Sequence, residues 1–155
     1  MILFFVIDSS FSLLNLIYDD IYDISVVQIN DLTNIGKSNL IPYDQYVIVV
    51  GSWGLIEWSP AIMQRIVINN PFGLEWLPYR SEKIFLLTET LLQTVDPDAI
   101  MKTIQENFKD INRIYIIANQ DYINKLNYSH SGNIVVFETL QEYDDLGLGL
   151  ITIQN

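Results

Sequence analysis

The sequence contains no cysteine and a single histidine, His130. Without thiols there is no disulfide and no thiolate zinc site. One imidazole is too few for a multi-histidine metal centre, and it makes a poor start for a Ser-His-Asp triad. His130 lies in Ser129-His130-Ser131-Gly132, the composition of an exposed turn. Positive charge is also scarce. Lys and Arg total 8 against 19 Asp and Glu, a net charge of −11. A surface for duplex nucleic acid needs several cations to displace phosphate counterions. Here the basic residues are scattered, apart from a loose group at Lys102, Lys109, Arg113 and Lys125. Weak or absent direct nucleic-acid binding is the expectation. Long apolar runs are missing too. No uncharged stretch approaches the roughly 20 residues that span a bilayer, so no membrane role is expected. The start, Met1 to Asp8, lacks a basic segment and meets an acid early, and reads as the first core strand of a cytoplasmic protein.

What is abundant points to a packed core. Half of the residues are hydrophobic, with 9 Tyr, 7 Phe and 3 Trp, a composition that argues against disorder. A chain of 155 residues suits a single α/β domain, 1–155. Short apolar runs alternate with longer mixed segments. The runs Ile2–Ile7, Ser25–Ile29, Tyr46–Val50, Ile84–Leu87, Arg113–Ile117, Asn133–Phe137 and Leu150–Ile153 read as strands. Several are continuously apolar, as in strands covered on both faces. Asp98–Phe108 is the clearest helix, with Ile100, Met101, Ile104 and Phe108 on one stripe and Pro97 at its start. Phe11–Asp20, Ser59–Ile68 (Ser59 as cap, Pro60 in the first turn) and Gln120–Leu126 read as further helices. Asp31–Pro42 and Asn69–Pro78 read as loops, and Gly147-Leu148-Gly149 as a turn before an edge strand. The alternation implies a three-layer α/β fold with a mainly parallel central sheet flanked by helices, nuclease-like or Rossmann-like.

In such sheets ligands bind beyond the carboxyl ends of the strands. Asp8 and Asp121 follow strand candidates, and Asp96 and Asp98 open the central helix. If the strands are parallel, these four carboxylates converge on one edge and suit Mg²⁺ or Mn²⁺. Each taken alone also suits a helix cap or a first-turn acid. Other motifs are weaker. Gly51-Ser52-Trp53-Gly54 and Gly36-Lys37-Ser38 lack the spacing of a phosphate loop. Trp53, Trp58 and Trp76 suit either the core or an exposed aromatic surface. The clusters Asp19, Asp20, Asp23 and Glu138, Glu142, Asp144, Asp145 read as solvated faces or as a docking surface for a basic partner.

These segments together resemble the PIN and flap-endonuclease-like 5′-nuclease superfamily, in its compact phage-type form. Phe5-Val6-Ile7-Asp8 resembles the first strand and its aspartate, and Val47–Pro71 the second strand with a Trp-led helix in which Trp58 takes the tryptophan position. Asp96-x-Asp98 is similar to the acidic cluster, and Asn119-Gln120-Asp121-Tyr122 to the later acidic turn. Gly51, Ala99 and Asn119 stand where the family pattern places acids, Ser59 where it places an arginine, and neither the basic arch nor the C-terminal DNA-binding module is matched. The resemblance therefore implies a degenerate nuclease framework, viral or phage, acting through contacts with a protein partner and not as an efficient enzyme. Two other readings stay open: a residual Mg²⁺- or Mn²⁺-dependent nuclease, and a small-molecule or nucleotide-binding α/β domain.

Overall fold

The computed structural model describes residues 24–70, 78–108, 110–129 and 134–154. Helix α1, Val26–Lys37, starts at a capping box: the Ser25 hydroxyl accepts from the Gln28 amide, and the Gln28 side chain accepts from the Ser25 amide. This corrects the expected strand at Ser25–Ile29 and much of the expected loop at Asp31–Pro42. Val26, Val27 and Ile29 mimic a β run, but all three are exposed, while Asp31, Leu32 and Ile35 turn inward at helical spacing.

Strand β1, Tyr46–Val49, leads to helix α2, Trp53–Met63, capped by Ser52. The helix thus begins well before Ser59, which is buried within it and donates to the Leu55 carbonyl. Gln64 closes α2 in the left-handed region, at φ 56°, and the short strand β2, Ile66–Val67, follows. The expected helix Ser59–Ile68 is therefore split between the end of α2 and β2. Helix α3, Pro78–Gln93, contains the run Ile84–Leu87, which corrects the expected strand there. The buried residues Ile84, Leu87, Thr88 and Leu91 recur at helical spacing, and a four-residue apolar run cannot distinguish the two periods.

Helix α4, Pro97–Asn107, matches expectation. Asp96 caps it, its carboxylate accepting from the Asp98 amide at 3.1 Å, and Ile100, Met101 and Ile104 are buried. Strand β3, Arg113–Asn119, passes directly into helix α5, Gln120–Ser129. Strands β4, Val135–Glu142, and β5, Leu146–Ile153, complete the sheet.

The strand order is β2-β1-β3-β5-β4. β1 pairs in parallel with β2 and β3, whereas β5 is antiparallel to both β3 and β4. The sheet is mixed, and its longest pairings are the antiparallel ones, so the mainly parallel expectation is corrected. Gly147-Leu148-Gly149 is no turn: it lies inside β5, paired on both sides. Phe137 lies over Gly149, where a Cβ would come within 2.4 Å of its ring. That glycine makes room for a neighbour.

Alternation along β3 divides the core in two. Ile114, Ile116 and Ala118 face α3, α4 and α5, with Leu87, Leu91, Ile100, Ile104, Ile123 and Leu126. Tyr115 and Ile117 face α1 and α2, with Leu32, Ile35, Leu55, Ile56 and Met63. Helices therefore flank a single sheet on both faces. The resemblance to the 5′-nuclease superfamily does not survive this topology. It implied a mainly parallel sheet, whereas two of the four pairings among the described strands are antiparallel. Asp8, with the expected elements Ile2–Ile7 and Phe11–Asp20, lies outside the described residues.

Candidate functional site

The described candidate carboxylates separate along α5. Asp121 is exposed in its first turn, at the carboxyl end of β3. Asn119 caps that turn, its side-chain oxygen accepting from the Tyr122 amide at 2.8 Å. Asp96 sits elsewhere. The Ser129 hydroxyl donates to the carbonyl of Val95, tying the start of α4 to the last residue of α5. Asp121 and Ser129 are eight residues apart, about 12 Å along a helix axis at 1.5 Å per residue. Asp96 and Asp98 are occupied in starting α4, both exposed. Among the described residues no group of three acids or histidines is close enough to hold a metal ion.

Tyr122 reinforces this arrangement. Its hydroxyl lies 2.7 Å from the carbonyls of both Leu91 and Thr94, linking α5 to the end of α3. Burial holds its proton on well above the ordinary tyrosine range. At the end of β1 the chain fills its own space. Gly51 lies against the Leu55 side chain, and the Ser52 hydroxyl accepts from the Leu55 amide at 3.2 Å. Trp53 packs edge-on to Phe85, with ring centroids 5.3 Å apart, while Trp58 is 53% exposed on α2. His130 and Trp76 lie outside the described residues.

The second acidic set does come together, in part. Leu146 pairs with Asn119, so the β4–β5 turn lies at the carboxyl end of β3, the end that carries Asp121. Glu142 closes β4, and Asp144 and Asp145 form the turn; all three are exposed. Glu138 is exposed further back along β4. Asp19, Asp20 and Asp23 lie outside the described residues. From 134 to 154 the sequence has no Lys or Arg. Among the described residues β4 is also an edge strand, with a register shift between Thr139 and Gln141.

Two residues that sequence reasoning missed hold this turn in place. The carboxylate of Asp31, which is 2% exposed on α1, accepts from the amides of Asp145 at 2.8 Å and Leu146 at 3.0 Å. From the other face of the sheet, the Gln120 side-chain amide donates to the Tyr143 carbonyl. Neither pairing has a local sequence signal, since Asp31 and Asp145 are 114 residues apart. Burial raises the Tyr143 phenol above its ordinary range. The charge of Asp31 adds to this.

The described helices include none long and apolar enough to cross a membrane. No protein-family model matches the chain, and no curated protein does. Among solved structures it is similar to the C-terminal globular domain of oligosaccharyltransferase from Archaeoglobus fulgidus, with TM-score 0.48 and 10% identity, covering 85% of this chain and 99% of that one.

Proposed function

We propose that the chain is a binding domain that docks a basic protein surface on the acidic end of its sheet. Glu142, Asp144 and Asp145 supply the charge there, with Asp121 beside them and Glu138 along β4. The observation that carries this reading is the double anchoring of the turn by Asp31 and Gln120. Surface acids on a mobile loop pay an ordering cost on binding, whereas a fixed turn presents them already placed. Opposite charge speeds encounter and selects partners more than it adds affinity. The same acids discourage β4, an edge strand among the described residues, from pairing with another copy of the chain.

The test is retention of a basic partner by immobilised protein at low and raised salt. Retention is expected to fall with salt, because exposed charges are screened over about 8 Å at physiological ionic strength. It is also expected to vanish in the triple variant Glu142→Gln, Asp144→Asn, Asp145→Asn, and to persist in Asp98→Asn. Retention that survives the triple neutralisation sinks the proposal.

A further inference from the structure

At the opposite end of the parallel strands the chain buries a cation among carbonyls. Arg65, just before β2, is 6% exposed. Its Nε donates to the Ile41 carbonyl at 3.0 Å, and Nη1 to those of Met63 at 3.2 Å and Gln64 at 3.1 Å. Nη2 donates to the Gly36 carbonyl at 3.2 Å. The Tyr43 ring lies over the guanidinium, 3.9 Å from centroid to Cζ. Gly36 and Met63 belong to the last turns of α1 and α2. Each helix C-terminus carries roughly −0.5 charge, so the two ends together offset roughly one cation. Lys37, exposed in the last turn of α1, is a second cation. A net positive charge of roughly one remains after the helix ends are counted.

Arg65, Lys37 and Tyr43 line a cavity of about 240 Å³, together with Ser38 and Asn39. That is smaller than the roughly 300–1,000 Å³ of pockets for drug-sized ligands, and suits a small group. Among the described residues no acid lines it, in a chain with 19 acids and 8 bases. Nη2 has two N–H groups and spends one on Gly36, which leaves one donor. We infer that this cavity binds a small oxyanion, the phosphate or carboxylate group of a ligand, through Arg65 and Lys37. The Gly36-Lys37-Ser38 sequence closes a helix here, so the contacts come from side chains and not from the amide cradle of a phosphate loop.

The experiment is a ³¹P NMR titration of the full chain with inorganic phosphate at constant ionic strength, with acetate titrated in parallel by ¹H NMR. Because Lys37 is exposed, Lys37→Gln preserves the fold and removes one charge. Saturable binding of either anion is expected, with Kd raised about tenfold in Lys37→Gln, the scale of one charge-assisted hydrogen bond. Lys125→Gln, on α5, should leave Kd unchanged. Phosphate alone binding assigns a phosphate ligand, and acetate binding admits a carboxylate. Binding of neither, or binding that Lys37→Gln leaves unaltered, overturns the site.

Discussion

The side chain of Asn69 hydrogen-bonds both backbone groups of Val49. Its oxygen accepts from the Val49 amide at 3.0 Å, and its nitrogen donates to the Val49 carbonyl at 2.7 Å. β2 itself stops at Val67, and the Ile68 amide still reaches the Val47 carbonyl at 2.9 Å. Asn69, fully buried, thus extends a two-residue strand by using its amide as a peptide group. Val49 would otherwise leave a donor and an acceptor buried without partners, which is costly.

Asn69→Ala should therefore destabilise the fold by roughly 2–6 kcal/mol, from two stranded groups at about 1–3 kcal/mol each. Urea denaturation measures this. A loss below about 1 kcal/mol would mean that water replaces both bonds.

Asp31→Asn keeps one acceptor near the β4–β5 turn but loses the charge that two amides share. A cost of about 1–3 kcal/mol is expected, in the range of hydrogen bonds to charged groups. The distinguishing readout is amide hydrogen exchange. Exchange at Asp145 and Leu146 should quicken more than in β3, and equal acceleration everywhere would mean that Asp31 does not anchor the turn specifically.

Alkaline pH should destabilise the protein. Tyr122 and Tyr143 hold their protons above the ordinary tyrosine range in the folded chain, burial being the main cause in each. Unfolding returns both to a pKa of about 10, so the unfolded chain binds fewer protons as pH rises past that point. Their contribution is thus complete below about pH 10 and declines above it. Tyr143→Phe should soften the decline. Because the Tyr143 hydroxyl is buried without a hydrogen-bond partner among the described residues, the same change should leave neutral-pH stability equal or raise it by up to about 1 kcal/mol. A neutral-pH loss in Tyr143→Phe, followed by thermal melts, would show that the hydroxyl is bonded.

Gly36→Ala reverses the usual sign of a helix substitution. Within a helix, alanine generally improves stability by about 0.5–1 kcal/mol over glycine. Here the added Cβ would stand 2.8 Å from both the Cα and the carbonyl oxygen of Met63, backbone atoms that yield little. A loss of about 1–3 kcal/mol is expected as α1 and α2 separate. A thermal midpoint raised by the substitution would show that the crossing has slack.

Local chemistry decided much of the fold by itself. The apolar runs of β1 and β3 and the Asp96-Pro97 start of α4 are legible in the sequence because caps and burial patterns act over a few residues. The acidic balance, and the concentration of Glu142, Asp144 and Asp145 in one stretch, are equally plain there. Ser25–Ile29 and Ile84–Leu87 were not legible, since short β-branched or apolar runs suit either period until packing selects one. Only the tertiary structure set β5 antiparallel between β3 and β4 and turned Gly147–Gly149 from a turn into a central strand. It alone separated Asp96 from Asp121, brought Asp31 to the β4–β5 turn and gathered helix-end carbonyls around Arg65. Each of these depends on groups far apart in the chain meeting at hydrogen-bond distance, which no local pattern of residues encodes.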